Sequence, residues 1–442
     1  MTKPTIAYVA QFFPILTETF VYREVNALRE RGFDVVTLSN RTPEIAKLSE
    51  ESIGLMDTTE YVFPIKHLAF LLAHLYFIFR HPIRYLGTLL HIMRQPDESM
   101  ANRIRTLGHF GGGVYLAHRI HKKGVSHIHA HFAVNAATIG LVVSRLLNIS
   151  YSFTVHNNIF TDQLILRTKL AAATFIISIS EYSKQFLLDY APEIAGLAQK
   201  IEIVHCGIPA DSFRRSQPYR NGSAPRPPHL VSLSSFAERK GMPVLVEACR
   251  ILRDRGLNFR CTIAGTGPDW QRVRQLVKEY NLRDRVNLPG RYFQEDIHAY
   301  LNDASAFALA CVTAENGDID GVPVALMESM AMEVPTISTT LSGIPELIDD
   351  GINGLLVPER DAEALADAIE RLLQDHALSL RLGRDGRRKI VEAFNIDHTS
   401  QQLVDIFQRY LRRAEKVGSV SAEITPQQLT HSTNHPTTTT IH

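Results

Sequence analysis

The chain has 442 residues, of which 45% are hydrophobic and 21% charged, and its formal net charge is +1. This length exceeds one ordinary core and predicts two domains, while the balanced charge gives no overall field that would attract nucleic acid. The four cysteines, Cys206, Cys249, Cys261 and Cys311, are too widely spaced for a zinc site or a redox pair, which favours a reduced, cytoplasmic setting.

The first half of the chain alternates short apolar runs with stretches of helical spacing. Residues 5–10 (TIAYVA) predict a strand, not a secretory signal, because Pro14 soon interrupts the apolar stretch. Val21, Val25 and Leu28 predict the following helix. More strands are predicted at 35–38, 151–155, 174–179 and 201–204. Such alternation is typical of a parallel sheet covered on both faces.

Residues 62–79 (VFPIKHLAFLLAHLYFIF) form the most apolar stretch, although Pro64 and Lys66 interrupt it. The stretch is barely long enough to span a bilayer, so we do not expect a transmembrane helix. Cations follow it, namely Arg80, Arg84, Arg94, Arg103 and Arg105. Apolar helices edged by cations suit the surface of an anionic membrane, and they equally suit packing on the domain core.

Histidines mark two predicted strands of this half. His129 and His131, in HIHAHF, alternate on a strand and therefore share a face. They could bind a metal, but no third ligand stands at a recognisable spacing, so we expect positioning or structural roles and no metal. His156 follows the strand at 151–155, at the edge where open sheets bind ligands, although a lone histidine there is often structural.

Residues 214–228 (RRSQPYRNGSAPRPP) are rich in Pro and Arg and indicate a domain boundary or a loop beside one. Strands are then predicted at 229–233, 259–264, 306–311, 334–339 and 354–357. The predicted fold is therefore α/β, with two Rossmann-like, doubly wound parallel-sheet domains facing each other across a cleft. GTGP, which begins at Gly265, lacks the third glycine of a dinucleotide fingerprint and predicts a tight turn lining the ligand pocket.

The acidic loop 315–321 and the helix after it carry the chemistry. Pro323 suits the first position of a helix, so the backbone N–H groups of this strand–loop–helix unit are expected at the cleft, where they would bind a diphosphate. Asp320 and Glu328 cannot serve the phosphates and would accept hydrogen bonds from sugar or ribose hydroxyls. The alternative is a solvated acidic loop before an ordinary core helix.

This segment resembles the motif of glycosyltransferase family 4, in which two acidic residues are separated by seven. The resemblance extends through GVPVALMESMAMEVPTISTTLSGIPELIDDGINGLLVP. It implies a GT-B fold and metal-independent transfer, with retention, from a UDP- or GDP-type sugar and no other cofactor. Asp320 would contact the sugar, Glu328 the ribose, and Gly321, Val322 and Pro323 would line the donor site.

A second segment, SSFAERKG (residues 234–241), matches the family loop that holds the donor diphosphate. Lys240 and Gly241 follow the family pattern, whereas Ser235 stands where arginine is common. Arg239 could supply the missing cation. An Arg-Lys pair taken alone would be interpreted as solvated surface charge.

In the first domain the resemblance places His156 under the donor sugar, and together with Asp320 and Lys240 it completes the predicted catalytic set. Thr17 and Glu18, with His131, would lie on the acceptor side, in a loop resembling that of family 4 enzymes that build bacterial exopolysaccharides. Capping of the next helix by Thr17 is the alternative. The acceptor would be a glycan, lipid-linked or soluble, and the enzyme would sit at the inner face of the membrane.

The predicted acceptor domain spans 1–207 with an apolar and basic helical insert at about 62–105, and the donor domain spans 208–395. A helix at 396–415 would cross back to the first domain, and 416–442 would be a disordered tail. Two other functions remain open. They are a sugar-nucleotide 2-epimerase of the same fold and a non-catalytic protein that binds sugar nucleotides.

Overall fold

The computed structural model describes residues 5–15, 18–44, 53–96, 98–216 and 227–423, with side chains described up to residue 412. The first half forms a sheet of seven parallel strands in the order β3-β2-β1-β4-β5-β6-β7. The strands are β1 (Thr5–Phe12), β2 (Asp34–Arg41), β3 (Thr59–Phe63), β4 (Val125–His131), β5 (Ser150–Val155), β6 (Phe175–Ser178) and β7 (Ile201–Ile203). The order reverses between β1 and β4, and such reversal points are where doubly wound sheets bind ligands.

Helices cover both faces of this sheet. They are α1 (Thr19–Glu30), α2 (His67–Arg80), α3 (Pro82–Met93), α4 (Met100–Ile120), α5 (Asn135–Leu147), α6 (Leu166–Ala172), α7 (Glu181–Tyr190) and α8 (Leu197–Lys200). The insert predicted at about 62–105 contains α2 and α3 and the start of α4, which stand between β3 and β4.

The second half repeats the architecture in a sheet of six parallel strands, ordered β10-β9-β8-β11-β12-β13. The strands are β8 (His229–Leu233), β9 (Arg260–Ala264), β10 (Val286–Gly290), β11 (Ala306–Ala308), β12 (Thr336–Thr339) and β13 (Leu355–Val357). The helices are α9 (Met242–Asp254), α10 (Trp270–Glu279), α11 (Asp296–Asn302), α12 (Val324–Ala331), α13 (Ile344–Leu347), α14 (Ala362–Gln374) and α15 (His376–Ala393). Two doubly wound parallel sheets confirm the predicted fold class.

The chain passes between the two halves at two adjacent points. The Ile208 N–H donates to Phe394 O and the Ile396 N–H donates to Ile208 O, both at 2.9 Å. Gly207 lies so close that an added Cβ would stand 2.7 Å from the Ile396 Cα. We therefore propose the domain boundaries at 207/208 and 395/396.

The last helix, α16 (Ile396–Glu423), packs back on the first domain. Leu403, Val404, Ile406 and Phe407 are buried in one cluster with residues of β1 and α1. The helix continues beyond the predicted end at residue 415, and no proline interrupts the chain before Pro426. Residues 424–442 lie outside the described part of the chain, so the disordered tail stays a prediction.

Candidate active site

Three histidines of β4 and three hydroxyl residues of β5 form what we call the histidine ladder. The ladder consists of His127, His129 and His131 facing Ser150, Ser152 and Thr154 in register. His127 bonds to the Ser150 and Ser152 hydroxyls at 2.7 and 2.6 Å, and His129 bonds to the Ser152 and Thr154 hydroxyls at 2.7 and 2.9 Å. These two rings are fully buried and hydrogen-bonded at both nitrogens, so their role is structural.

His156 directly follows β5 and contacts His131, the last histidine of the ladder. The ring of His156 is 3% exposed and packs against the rings of Phe20 and Phe132, with centroids 4.9 and 4.4 Å away. Its Nε2 is 3.3 Å from His131 Nδ1. Burial holds the pKa of His156 well below its usual value, so the ring is neutral near pH 7.

Glu24 of α1 contacts His131 at the same end of the ladder. Its Oε1 is 3.1 Å from His131 Nε2 and accepts the Tyr8 hydroxyl at 2.7 Å. Ligand-type atoms of Glu24, His129 and His131 all lie within 4.8 Å of one another, so the structure supplies the third metal-ligating group that spacing did not reveal. The ring nitrogens of His129 and His131 already have hydrogen-bond partners in the protein. The expected absence of a metal stays a prediction.

A small pocket lies beside His156, between the first domain and the helix α16 that packs back on it. Phe20, Glu24 and His156 line it, together with residues 204–207 and four residues of α16, Ile396, Thr399, Ser400 and Leu403. Asp320 and Glu328 do not line this pocket.

The second half of the site is an ion cluster around Asp320, which is 7% exposed. Lys240 Nζ lies 2.9 Å from Asp320 Oδ2, and Arg239 Nε lies 3.2 Å from Oδ1. Arg239 Nη1 also pairs with Asp318 at 2.7 Å. The structure thus brings together Lys240, Arg239 and Asp320, which sequence placed 80 residues apart on two separate motifs.

The loop that carries these cations is held by close backbone packing. Gly241 has a φ of +61°, and an added Cβ would stand 1.7 Å from Ala310 O. Gly265 has a φ of +143°, and an added Cβ would stand 1.7 Å from Ser234 O, which is the tight turn that GTGP predicts. Ser235 is exposed on the same loop, so Arg239 is the cation that turns inward where the family arginine is missing.

Glu328 lies on α12 and is 5% exposed. Pro323, predicted as the first helical residue, stands just before the helix in an extended conformation. Gln294 Nε2 donates to Glu328 Oε1 at 3.3 Å. Burial raises the Glu328 pKa to about 7, although the Gln294 hydrogen bond and the charge of Arg23 on α1 oppose the shift. The Glu328 carboxyl is therefore about half protonated near pH 7 in the folded protein.

The two domains are in contact where the acidic loop 315–321 meets the first domain. An added Cβ on Gly321 would stand 2.9 Å from Ile179 Cδ1, so the two domains approach closely at this point. Glu346 of α13 accepts the backbone N–H groups of Glu181 and Tyr182, at 2.9 and 3.1 Å, at the start of α7. Val322 is buried and packs in the second core.

On the acceptor side, α1 begins at Thr19 after Glu18, whose side chain makes no capping hydrogen bond. Burial raises the pKa of Glu18 to about 7. Thr17 lies outside the described residues, so its predicted capping and acceptor roles stay predictions.

Two family models match consecutive parts of this chain. Residues 17–212 match "Glycosyltransferase Family 4" and residues 213–389 match "Glycosyl transferases group 1". The chain belongs to glycosyltransferase family 4. The boundary between the two matches lies close to the crossing at Ile208.

Curated relatives of this family 4 chain act in bacterial polysaccharide synthesis by name. The putative colanic acid biosynthesis glycosyltransferase WcaL of Salmonella typhimurium is 35% identical over 266 residues, which are 55% of this chain and 65% of the relative. The amylovoran biosynthesis glycosyltransferase AmsK of Erwinia amylovora is 38% identical over 212 residues, 48% of this chain and 51% of the relative. The matches thus span between 51% and 65% of these relatives' lengths.

Solved glycosyltransferases share the GT-B fold at low identity. HepE of Anabaena, solved in complex with UDP, aligns with a TM-score of 0.68 and 15% identity over 92% of this chain and 100% of that chain. A glycosyltransferase of Rickettsia africae aligns with a TM-score of 0.66 and 17% identity over 93% and 99%. Within the described residues, every helix is too short or too polar to cross a membrane.

Sequence reasoning missed Glu24 and Tyr8, which complete the His131 contacts. A signal existed, because Glu24 falls within the stripe formed by Val21, Val25 and Leu28, where a charge needs a buried partner. Gln294, which holds Glu328, carried no comparable signal.

Replacing Glu328 by Gln is expected to stabilise the ligand-free protein at high pH only. A carboxyl whose pKa rises from 4.5 to about 7 on folding is neutral in both states at low pH. The destabilisation of the folded state by the buried carboxylate appears as the pH rises past 4.5. It is complete above pH 7, where it amounts to about 3 kcal/mol. Urea unfolding should therefore show a gain approaching this value at about pH 8 and less than about 1 kcal/mol at about pH 5.

The exposed Glu392 provides the matched control, because Glu392→Gln removes a carboxylate that water already solvates. Equal stabilisation of the Glu328 variant at both pH values would contradict the buried, elevated carboxyl.

Proposed function

We propose that this chain transfers a hexosyl group from a nucleotide-diphosphate sugar to a glycan acceptor, with retention of anomeric configuration. The observation that carries the proposal is the meeting of Lys240, Arg239 and the buried Asp320 on the donor domain. A lysine ammonium has three donors, and Asp320 uses one of them, so donors remain for a diphosphate. Glu328 would accept the ribose hydroxyls.

The roles of the remaining residues follow from their positions. His156, at the carboxyl end of β5, would contact the donor sugar, and Asp320 would accept a sugar hydroxyl while orienting Lys240. Gly321, Val322, Pro323 and Gly265 would shape the donor site, whereas Ser235 leaves it open to solvent. Glu18 and Thr17 would stand on the acceptor side, whereas the buried His131 contacts Glu24 and His156 instead.

The charge on the leaving diphosphate would be met by Lys240, Arg239 and the N–H groups at the start of α12, so we propose transfer without a divalent metal. The relatives named for colanic acid and amylovoran favour an acceptor in cell-surface polysaccharide synthesis. Transfer that continues unchanged in EDTA would support the metal-independent part, and lost transfer restored by Mg²⁺ would refute it.

A thermal-shift screen against UDP-, GDP- and ADP-sugars tests donor binding, because a ligand that binds only the folded state raises its stability. Transfer to extracted lipid-linked glycans with the selected donor then tests the reaction. Conversion of free UDP-GlcNAc without an acceptor would identify the epimerase instead. Donor binding with neither hydrolysis nor transfer would identify a non-catalytic binding protein.

We propose that the insert docks on an anionic membrane, which would bring the cleft to a lipid-linked acceptor at its inner face. Large apolar side chains on one face of α2, α3 and α4 are exposed, namely Leu68, Leu71, Leu72, Leu75, Phe79, Ile83, Leu86, Leu90, Met100 and Ile104. Phe79 and Ile83 are 79% and 87% exposed, and Arg80 and Arg84 stand beside them. This combination suits anionic lipid.

Two of the arginines predicted for this surface have other partners. Arg103 donates to the Met93, Gln95 and Glu98 carbonyls and holds the end of α3. Arg105 pairs with Asp162. The membrane cations are therefore Arg80, Arg84 and Arg94.

Replacing Arg80 and Arg84 by Ala is expected to weaken binding to anionic vesicles by about fivefold per charge, since each cation near such a surface contributes about 1 kcal/mol. Co-sedimentation with phosphatidylglycerol-containing vesicles measures this. Arg384→Ala with Arg388→Ala is the matched control, because these exposed arginines stand four apart on α15 of the other domain. Equal binding by both double variants would refute the docking surface.

A further inference from the structure

Four side chains form one hydrogen-bonded chain that links β1, α1, β4 and β5. The Tyr8 hydroxyl donates to Glu24 Oε1 at 2.7 Å, and the same oxygen lies 3.1 Å from His131 Nε2. His131 Nδ1 lies 3.3 Å from His156 Nε2. Tyr8, His131 and His156 are each at most 3% exposed, so water does not compete for these contacts.

The direction of each hydrogen bond follows from what each group can donate. An ionised carboxylate only accepts, so the contact with Glu24 requires the His131 proton to be on Nε2. With His131 neutral, its imidazole has one donor and one acceptor, and Nδ1 then accepts. The donor in that contact is His156 Nε2–H, which leaves His156 Nδ1 without a proton.

We propose that Glu24 and His131 are positioning residues that fix His156 as the Nε2–H tautomer and leave its Nδ1 to accept a hydroxyl of the donor sugar. His156 lines the small pocket against α16, and the described residues form no hydrogen bond to its Nδ1. Phe20 and Phe132 both pack against the His156 ring, with centroids 4.9 and 4.4 Å away, and so restrict its rotation.

A divalent cation bound by Glu24, His129 and His131 would use the same atoms. Such binding would have to break the contacts of His129 with Ser152 and Thr154, at 2.7 and 2.9 Å, and the contact of His131 with Glu24. The hydrogen-bonded chain needs no such rearrangement, and it gives every buried nitrogen of His129 and His131 a partner. The tautomer therefore explains more of the geometry than an ion does.

The sugar contact rests on the proposed function, whereas the tautomer rests on the side-chain contacts and on a neutral His131, so the two are tested separately. Ring ¹⁵N NMR of the full chain, labelled on histidine, reports the tautomer without substrate, and signals lost in His156→Asn assign the residue. We expect an unprotonated Nδ1 in the unsubstituted protein. In His131→Asn the amide oxygen can still accept from Nε2, so the tautomer should persist, whereas His131→Leu should give a mixture.

A protonated Nδ1 in the unsubstituted protein would overturn the proposal, as would identical His156 spectra for the Leu and Asn variants. One equivalent of zinc measured in the purified chain would also overturn it, in favour of a metal site. If His131→Leu fails to fold, Glu24→Ala removes the carboxylate at the other end and should produce the same mixture.

Transfer kinetics test the link to the sugar. Partners that fix a histidine tautomer typically contribute about 10- to 100-fold, so we expect His131→Leu to lower kcat/KM by this factor. Because His131 acts through His156, the double variant His131→Leu/His156→Ala should be no slower than His156→Ala alone. Additive losses would overturn the positioning role. Transfer that survives His156→Ala unchanged, with the NMR result intact, would refute only the donor contact of His156.

Discussion

Replacing Lys240 by Ala is expected to lower the rate of sugar transfer by about 10²- to 10³-fold, as loss of one preorganised charge-stabilising donor does in other enzymes. Lys240 Nζ is 2.9 Å from the buried Asp320, so the loss has two consequences. The departing diphosphate loses a cation, and Asp320 keeps the Cys311 thiol and one described cation, Arg239, which it shares with Asp318. We therefore expect both kcat and donor affinity to fall.

Steady-state transfer and donor titration separate these two effects. Lys389→Ala is the matched control, since Lys389 pairs with Asp349 at 3.0 Å on the same domain, where both side chains are more exposed. That pair should contribute less than about 1 kcal/mol to stability and nothing to transfer. If Lys240→Ala retained donor affinity and rate at the level of the control, the proposed donor site would be wrong.

The strands that sequence predicted best are the buried ones. Continuous apolar runs such as TIAYVA in β1 and HLVSL in β8 stand inside their sheets, where both faces are covered. The strands that went unpredicted, β3 and β10, are each one of the two edge strands of their sheet, whereas the opposite edges β7 and β13 were predicted. Both unpredicted strands are only partly buried, and β10 contains Pro289, so neither shows the continuous apolar run of a central strand.

The site was predictable where its residues follow strands, and not where two distant elements meet. Lys240, Asp320, Glu328 and His156 all lie in loops or helices directly after a strand, which is where doubly wound sheets place ligands. The Glu24–His131 contact joins residues 107 apart in sequence. No local spacing encodes such a pair, because it exists only once α1 folds over the end of β4.

Residues 234–241 form what we call the donor loop. Replacing Gly241 by Ala is expected to be the most damaging single change in this loop, both to stability and to function. The residue has a φ of +61°, which costs a residue with a side chain about 1–2 kcal/mol. The added Cβ would also stand 1.7 Å from Ala310 O and 2.8 Å from Ala310 C, at the end of β11. Backbone cannot move aside as a flexible side chain does, so we expect a total loss of roughly 3 kcal/mol or more.

The same clash would move Lys240, the preceding residue, away from Asp320, so donor binding should weaken even in the fraction that stays folded. Gly351→Ala is the matched control, since Gly351 has a φ of +71° but nothing within 4 Å of the added Cβ. It should lose only the backbone contribution, about 1–2 kcal/mol in urea unfolding, and keep full donor affinity. Equal destabilisation of the two variants would mean that the approach of Gly241 to β11 is looser than the structure shows. The donor loop would then owe its position to the Lys240–Asp320 ion pair, and Lys240→Ala would be expected to displace the whole loop rather than to remove one charge.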